Sequence, residues 1–201
     1  MSTRMAHRGT PIYRECVELV QHKYLRAYGA VVEPTPDMFV VAWSDEAGPF
    51  DRGWLRGAAG LTSAAGRRML LSEHYLEAPA EIACARLAGD QPPRRRICEM
   101  GPVASAYPGC GVFLMERLPQ VASDLGFEFL LATLTRRLHG LALAAGWDFT
   151  TLANARHAEL AGVFPGNWGT YYSTKPRTGI LRCGSTVSRI MSRKESNDAV
   201  A

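Results

Sequence analysis

The sequence predicts a single domain of the α/β class, and three observations support this prediction. First, apolar residues from about position 96 to position 153 alternate between strand-like runs and stretches with helical spacing. Second, two predicted helices end alike, in Gly126-Phe127 and Gly146-Trp147, where a glycine stop is followed at once by an aromatic residue. Third, a chain of 201 residues that is 47% hydrophobic can bury one sizeable core, but not the cores of two full-sized domains.

The first elements are predicted to be a helix and a pair of strands. Apolar positions between Ile12 and Ala27 follow helical spacing, Pro11 suits the first turn of a helix, and Gly29 offers a left-handed stop. Two apolar runs, 38–43 and 54–62, then predict strands joined by a polar loop. We expect the two strands to pair antiparallel.

The next segment carries three carboxylates at helical spacing. Glu73, Glu77 and Glu81 would lie on one face of a continuous helix over residues 70–81. Pro79 argues against that helix, because its ring would clash with the carbonyl group four residues earlier. We therefore expect Pro79 to open a new helix that runs to about Leu87.

The second half of the chain has the most regular pattern. It predicts, in order, a strand at 96–100, a helix at 112–125, a strand at 127–133, a helix at 136–145 and a strand at 147–153. Short connections between these elements imply right-handed crossovers in a largely parallel part of the sheet. Pro119 lies inside the first of these helices, and we expect it to kink the helix near Met115.

Residues 1–10 and 185–201 lack a sustained hydrophobic period, so we expect disordered tails on either side of a domain at 11–184. The net charge of the chain is only +4, and the basic excess lies after residue 174. The remaining body is close to neutral, which gives no sign of nucleic acid as a partner.

The sequence also bears on location and metal content. No apolar stretch approaches the roughly 18 residues that span a bilayer, and the N-terminus lacks the apolar core of a secretory signal. The five cysteines are scattered, without a C-x-x-C pair, which favours reduced thiols over a disulfide framework or a zinc site. We expect a cytoplasmic protein without a metal.

A glycine-rich connection, residues 106–111, precedes the helix predicted from Val112. Gly109 and Gly111 allow the backbone to approach a ligand, and the N-terminus of a helix attracts anions. This pattern predicts binding of an anion such as phosphate by residues of the turn and the first helical residues, namely Gly109, Cys110, Gly111, Val112 and Phe113. An ordinary strand-to-helix turn is the alternative, because neither a dinucleotide fingerprint nor a Walker A motif is complete.

The order of predicted elements resembles that of the GCN5-related N-acetyltransferases (GNATs). In that superfamily the loop after the fourth strand holds the pyrophosphate of coenzyme A, in the pattern Arg/Gln-x-x-Gly-x-Gly/Ala. Gly109 and Gly111 match the last two fixed positions, whereas Ala106 stands where Arg or Gln is usual. The resemblance implies a mixed central sheet with helices on both faces and an acyl donor that is acyl-CoA or an acyl carrier protein thioester.

A closer resemblance, from about residue 24 to residue 179, is to the thermostable hemolysin family. Four motifs carry it in order: Tyr28-Gly29-Ala30, Glu73-His74-Tyr75-Leu76-Glu77-Ala78-Pro79-Ala80-Glu81, Glu99-Met100-Gly101-Pro102-Val103-Ala104 and Trp168-Gly169-Thr170-Tyr171-Tyr172. Glu77, Pro102 and Val103 replace the Asp, Asn and Leu of the family pattern. The family is similar to the acyl-homoserine-lactone (AHL) synthases, and its name describes a lytic phenotype without establishing a biochemical mechanism.

The resemblance implies a catalytic role for Glu99, on the strand before the glycine loop, as the base that takes a proton from an attacking amine. The alternative is an edge carboxylate paired with one of the arginines at 94–96. A backbone N–H near Val103 would hold the oxyanion.

Five further residues are candidates for binding a substrate. Glu73 and Glu81, on either side of Tyr75, are candidates for a substrate amine, although we favour a solvated face or a structural ion pair for both carboxylates. Trp168 and Tyr171 are candidates for the wall of an acyl or amine pocket, with core packing as an equal alternative.

Cys110 stands at a helix N-terminus, where the pKa of a thiol falls, which is compatible with a nucleophile. A nucleophile also needs a base and an orienting group, and no partner for the thiol lies near it in sequence. We therefore give this role little weight.

Together these features predict an acyltransferase that moves an acyl group from a thioester on coenzyme A or a carrier protein to the amine of a small molecule. One alternative is a membrane-active protein that uses its basic tail on anionic lipid. Another is a non-catalytic binding module that kept the fold and lost the cofactor, which the alanine at position 106 favours.

Overall fold

The computed structural model describes residues 1–45, 54–67, 69–160, 162–163 and 166–184. The helices are α1 (Pro11–Tyr28), α2 (Ala80–Ala88), α3 (Cys110–Asp124) and α4 (Arg136–Ala144). The strands are β1 (Ser2–His7), β2 (Met38–Trp43), β3 (Leu55–Ser63), β4 (Ile97–Ser105), β5 (Phe129–Leu134), β6 (Thr150–Asn154) and β7 (Arg177–Arg182). The predicted α/β class is confirmed, as a mixed sheet in a single domain.

The strands form one sheet in the order β1-β2-β3-β4-β5-β7-β6. Strands β1 to β4 pair antiparallel, and β4 pairs parallel with β5. Strand β7 enters between β5 and β6 and runs antiparallel to both. The expected largely parallel patch is therefore wrong: within the described sheet, only the β4–β5 pair is parallel.

The N-terminal segment is an edge strand, which corrects the predicted disordered tail at 1–10. Residues Ser2 to His7 pair with β2, and the side chain of Ala6 is buried against α1. The run was missed because it is short and mostly polar, and the hydrogen bonds of β2 hold it rather than its own hydrophobicity. The second predicted tail, 185–201, lies outside the described residues.

Helices cover both faces of the sheet. Helix α1 begins at the Thr10 cap and Pro11, ends at Gly29 with φ 65°, and packs on one face with α2 on that same face. Helices α3 and α4 pack on the other face. Because side chains alternate along a strand, Glu99 lies on the α2 face, while its neighbours Cys98 and Met100 pack beneath α3.

Helix α3 continues through Pro119, which has no N–H to donate to the carbonyl of Met115. The indole Nε1 of Trp147 donates to that carbonyl at 2.6 Å. Trp147 is buried directly after Gly146, which has φ 81°. The glycine stop after α4 therefore delivers the side chain that satisfies the group left free by the proline.

Strands β4 and β5 part after a short pairing. Their register covers four residue pairs, from Ile97 with Phe129 to Met100 with Ala132. Beyond Met100, β4 continues beside β3 and β5 continues beside β7. A gap therefore opens in the middle of the sheet, and the segment from Gly101 to Ser105 lines one side of it.

Strand β4 has one extra residue opposite β3 where the gap begins. The pairing passes from Ala59 with Val103 to Leu61 with Met100, and the peptide bond between Gly101 and Pro102 is cis. A Cβ atom at Gly60 would lie 2.5 Å from the carbonyl oxygen of Gly101, so only glycine fits there.

Of the helices in the described part of the chain, none has both the length and the apolar character needed to cross a membrane.

Candidate active site

Glu99 lies on β4 at the edge of the gap and is 8% exposed. Its Oε1 accepts the backbone N–H of Ser72 at 2.7 Å, and its Oε2 accepts the N–H of Leu71 at 3.1 Å. None of the ion pairs between described residues includes Glu99, so the structure does not show the arginine partner of the alternative interpretation. Burial raises the pKa of Glu99 above its ordinary value despite hydrogen bonds from Ser72 and Leu71, and the charge of Glu73 raises it further.

Glu73 has a different environment. Its two carboxylate oxygens accept hydrogen bonds from the two terminal nitrogens of Arg94, at 2.9 and 2.8 Å. They also accept the backbone N–H groups of Leu70 at 2.6 Å and Ala80 at 2.8 Å. Burial alone would raise its pKa, but the Arg94 guanidinium and the two N–H groups hold the pKa of Glu73 below its usual value. Arg94 also pairs with Glu81 at 2.5 Å.

This arrangement explains the spacing of the second motif. As predicted, Pro79 opens a new helix: it is the N-cap of α2, which begins at Ala80, and a separate 3-10 turn at Leu71–Tyr75 precedes it. The N–H of Ala80 is one of the groups that a helix leaves unpaired at its start, and Glu73 accepts it. Of the two sequence interpretations of Glu73 and Glu81, the geometry favours the structural ion pair over binding of a substrate amine.

Aromatic side chains wall the gap beside Glu99. This aromatic cluster consists of Tyr24, Tyr28, Tyr75, Trp168, Tyr171 and Tyr172. Burial raises the pKa values of Tyr75 and Tyr171, and the negative charge of Glu99 adds to both shifts, which places these rings near the carboxylate. The hydroxyl groups of Tyr75 and Tyr172 share a hydrogen bond of 2.6 Å.

Trp168 and Tyr171 reach this wall because the first and last motifs interlock. The N–H of Thr170 donates to the carbonyl oxygen of Tyr28 at 2.8 Å. Gly169 has φ 48°, and a Cβ atom there would lie 2.0 Å from that same oxygen. Only glycine permits this approach, which accounts for its place in the Trp-Gly-x-Tyr-Tyr motif.

Two N–H donors belong to the aromatic cluster or lie next to it. The N–H of Val103, on the diverging part of β4, faces the Tyr24 hydroxyl; burial raises the pKa of that phenol, and the N–H opposes the shift. The indole Nε1 of Trp168 is buried and has no hydrogen-bond partner among the described residues. Both groups are suited to an oxygen acceptor on a substrate.

The glycine turn lies at the far end of β4. Gly109 has φ 84° and caps α3 without a side-chain hydrogen bond. The N–H of Phe113 donates to the carbonyl of Gly109 at 3.0 Å, and that of Cys110 to Tyr107 at 3.4 Å. Of the five residues predicted to bind an anion, Gly111 and Val112 carry N–H groups for which the helix offers no acceptor.

Cys110 does not have the low thiol pKa expected at a helix N-terminus. Its side chain is 1% exposed and faces β3, where a Cβ atom at Gly57 would lie 3.3 Å from its own Cβ. Burial raises the pKa of this thiol. The sheet therefore outweighs the helix terminus, and the thiol is not poised as a nucleophile.

A basic side chain lies at the turn where the sequence motif has alanine. The backbone carbonyl of Arg56 accepts the N–H of Ala106 at 2.8 Å. The guanidinium of Arg56 lies 4.3 Å from the centre of the Tyr107 ring. Arg56 is far from the turn in sequence and was not predicted as a site residue. Its place next to Ala106 follows from the pairing of β3 with β4.

The structure thus arranges the predicted site residues in two groups along one strand. Glu99, Tyr75, Trp168 and Tyr171 lie at the start of the gap, with Val103 between them and the turn. Five residues of β4 lie between Glu99 and Ser105 beside the glycine turn, a distance of ~20 Å along an extended chain. Glu73 and Glu81 belong to neither group, because both form ion pairs with Arg94. No group of three or more potential metal-ligating side chains is found within the described ranges.

The fold is similar to that of several solved structures. These include FeeM, an N-acyl amino acid synthase from uncultured soil microbes, at 15% identity and TM-score 0.58, covering 94% of this chain and 98% of that one. The AHL synthase LasI aligns at 12% identity and TM-score 0.55, covering 91% and 90%. The aminoglycoside acetyltransferase AAC(6')-Ib, in complex with coenzyme A and kanamycin, aligns at 12% identity and TM-score 0.52, covering 94% and 98%. These likenesses confirm the predicted GNAT-like fold.

The sequence comparisons identify the family. No curated protein matches the chain. The family described as thermostable hemolysin matches residues 6–186, which is most of the chain and includes all four motifs. The predicted resemblance is therefore confirmed, and the chain belongs to the thermostable hemolysin family.

Proposed function

We propose that this protein is an N-acyltransferase that moves an acyl group from a thioester to the amine of a small molecule. One observation carries the proposal. A single strand, β4, has a buried carboxylate at the start of a gap in the sheet and a capless helix N-terminus at the other end. FeeM, LasI and AAC(6')-Ib share this fold, and the first and third are named for acyl or acetyl transfer.

Glu99 is suited to act as the base. Its carboxylate is buried without a cationic partner among the described residues, so the raised pKa brings its proton affinity closer to neutral pH, where a general base works best. As the amine nitrogen bonds to the thioester carbonyl carbon, Glu99 takes a proton from the amine. The C–S bond then breaks and the sulfur leaves as a thiolate, which takes up a proton.

Val103 and the aromatic cluster would hold the reacting groups. The Val103 N–H would turn from the Tyr24 hydroxyl to the developing oxyanion of the carbonyl. Tyr75 and Tyr171 would wall the acceptor, and the unpartnered indole N–H of Trp168 would donate to an oxygen of that molecule. An acceptor with both an amine and a carboxylate, such as an amino acid, fits these groups.

The donor would bind along β4 with its phosphates at the glycine turn. The N–H groups of Gly111 and Val112 would donate to the anion, while Gly109, Cys110 and Phe113 shape the turn. Arg56 would supply the positive charge that Ala106 lacks. An acyl-CoA and an acyl carrier protein both present a phosphate and a thioester on a flexible arm, so both remain candidate donors.

The proposal is tested by incubating the full chain with short- and long-chain acyl-CoAs, acyl carrier protein thioesters and a panel of amino acids. Mass spectrometry should detect an N-acylated product together with a free thiol. A Glu99→Gln variant, shown by circular dichroism to be folded, serves as the matched control and should form almost none. The proposal fails if no donor and amine react while a known acyltransferase works in the same assay.

Thermal shift separates loss of catalysis from loss of binding. We expect coenzyme A to stabilise the protein in proportion to the logarithm of its concentration. No stabilisation at millimolar coenzyme A would favour a binding module that lost the cofactor, or a carrier protein as the donor. Lysis of anionic vesicles without transfer would instead favour the membrane-active alternative, which rests on a basic tail that extends beyond the described residues.

A further inference from the structure

Two phenol groups of the aromatic cluster share one hydrogen bond. The hydroxyl oxygens of Tyr75 and Tyr172 lie 2.6 Å apart. Tyr75 is 5% exposed and belongs to the 3-10 turn that donates two backbone N–H groups to Glu99. Tyr172 is only partly buried. The bond therefore joins the turn beside the candidate base to the C-terminal Trp-Gly-x-Tyr-Tyr motif.

Counting protons gives the direction of this bond. Two phenols carry two protons, and the shared bond uses one of them. If Tyr172 donated, the buried proton of Tyr75 would have no acceptor among the described residues, which is costly. Tyr75 therefore donates and Tyr172 accepts, which leaves the Tyr172 proton free to bind water or a ligand.

The pKa values of the two phenols agree with this direction. Burial raises the pKa of both Tyr75 and Tyr172. The shared hydrogen bond raises the pKa of Tyr75 further, as expected for the donor, and opposes the rise at Tyr172, as expected for the acceptor.

A second unused donor lies on the neighbouring ring. The indole Nε1 of Trp168 is buried and has no hydrogen-bond partner among the described residues. The rings of Trp168 and Tyr172 meet edge to face, with their centroids 5.8 Å apart. Two adjacent rings thus offer two donors, whereas the oxygen of Tyr172 is already engaged as the acceptor of Tyr75.

Two such donors select a group that accepts hydrogen bonds and donates none. An ionised carboxylate has this property, and its two oxygens match two donors. Hydrogen bonds to an ionised acceptor are also stronger than those between neutral groups. Around Tyr172, His157 can supply positive charge when protonated and Glu159 supplies negative charge, so the two neutral donors and not a cation distinguish this corner of the gap.

We propose that Trp168 and Tyr172 bind the carboxylate of an amino-acid acceptor, and that Tyr75 is the positioning residue that turns the Tyr172 proton toward that carboxylate. The inference rests on the proposed function in taking the acceptor to be an amine whose nitrogen faces Glu99. It goes further because it assigns the distinction between amino acids and plain amines to two named donors.

The direction of the phenol bond is tested by the melting temperatures of phenylalanine variants. Tyr172→Phe leaves the buried Tyr75 proton without an acceptor, so it should melt lower than Tyr75→Phe, in which Tyr172 still donates to water. The double variant removes both partners and should melt above Tyr172→Phe. A lower melting temperature for Tyr75→Phe than for Tyr172→Phe overturns the positioning role of Tyr75.

Binding of the carboxylate is measured by NMR of protein labelled with ¹⁵N in its tryptophan indoles. The Trp168 signal is assigned by its loss in Trp168→Phe. The probes are glycine, leucine, phenylalanine and arginine, each compared with the amine that lacks only its carboxylate: methylamine, isoamylamine, phenethylamine and agmatine. At least one amino acid should shift the Trp168 signal at concentrations where its amine does not.

Two variants separate binding from folding. Tyr172→Phe should raise the half-saturating concentration of that amino acid by about 10- to 100-fold, the value of one hydrogen bond to a charged group. Tyr13→Phe removes another buried phenol bond, 2.7 Å to the carbonyl oxygen of Pro36, and should lower the melting temperature without changing the half-saturating concentration. No shift with any of the amino acids, or equal shifts with their amines, overturns the carboxylate site.

The titration needs no acyl donor, so its outcome is independent of whether acyl transfer is found. Where transfer is found, Tyr172→Phe should raise KM for the amino acid and leave kcat/KM for the matching amine unchanged. Binding of an amino acid without transfer would keep the carboxylate site and contradict the proposed function. Transfer to amines and amino acids at equal rates would keep the proposed function and overturn the carboxylate site.

Discussion

Two buried glutamates that lie close together in this molecule have pKa values shifted in opposite directions. Glu73 and Glu99 are 2% and 8% exposed, and each accepts two backbone N–H groups. Glu73 adds a two-pronged ion pair with Arg94, which lowers its pKa against the effect of burial. Glu99 forms no ion pair with a described residue, and burial leaves its pKa raised.

The comparison shows that burial and backbone hydrogen bonds do not decide the role of a carboxylate; the charge of its remaining partner does. A cation keeps the carboxylate ionised, so Glu73 can fix the turn before α2. Neutral donors keep the carboxylate oriented and able to exchange a proton. The first arrangement suits structure and the second suits acid–base chemistry.

The largest expected difference is in the rate of transfer. Glu99→Gln keeps the shape and removes the proposed base, so kcat/KM of the proposed acyl transfer should fall by roughly 100- to 10,000-fold. Its melting temperature should not fall, because a buried charge without a cation is removed. Glu73→Gln should show the reverse, a lower melting temperature with most of the activity per folded molecule retained. Equal losses of activity in the two folded variants would break the comparison.

The next largest effect concerns stability. Arg94→Met leaves the Glu73 carboxylate buried without its cation, which should lower the free energy of unfolding by about 3 kcal/mol. We take the lower end of the range for buried pairs because the Arg94 side chain is 22% exposed. Arg95→Met, the matched change at its exposed neighbour, should alter stability by less than about 0.5 kcal/mol. Urea unfolding at neutral pH measures both, and similar losses would contradict the structural role of the pair.

A third change tests how the wall beside Glu99 is held. Gly169→Ala places a methyl group 2.0 Å from the Tyr28 carbonyl oxygen at a left-handed φ, so the turn must move. We expect a loss of about 2 kcal/mol or more and lower activity, since Trp168 and Tyr171 move with the turn. Gly166→Ala is the control, because its nearest neighbours would be 3.8 Å away. A Gly169→Ala variant as stable as this control would show that the two motifs do not interlock.

Local signals predicted most of the elements. The stop at Gly29 and the new helix after Pro79 each depend on the backbone geometry of one residue, so the sequence specifies them directly. The strand at 2–7 and the insertion of β7 depend on pairing with residues far along the chain. Nothing in the local pattern of a short polar strand specifies which strand it will join.

The residues of the candidate site show the same difference between features that local sequence specifies and features that depend on distant parts of the chain. Arg94 was considered as a partner of Glu99, but it pairs with Glu73 because the turn at 71–75 places that carboxylate in front of it. The thiol of Cys110 was given a lowered pKa from its helix terminus, whereas its contact with β3 at Gly57 reverses the sign. The sequence identified which residues could take part in the site, but it did not identify the partners that determine their pKa values and charges.

The smallest expected effect is the one that compares the two glutamates most directly: the pH dependence of stability. Glu99 has a raised pKa in the folded protein, so its contribution is present below the ordinary glutamate value of 4.5 and is lost as pH rises through its folded pKa. Glu73 has a lowered pKa, so its contribution is present above 4.5 and is lost as pH falls through its folded pKa. The two contributions therefore have opposite slopes.

Urea unfolding of the wild-type protein, Glu99→Gln and Glu73→Gln at a series of pH values measures these slopes. The stability of wild type relative to Glu99→Gln should decrease from acid to neutral pH, by about 1.4 kcal/mol for each pH unit between the folded and unfolded pKa values. Relative to Glu73→Gln it should increase as pH rises toward 4.5 and then level off. Because both differences share the same wild-type curve, slopes of the same sign would mean that the two carboxylates have similar environments, and the assignment of one to structure and the other to chemistry would fail.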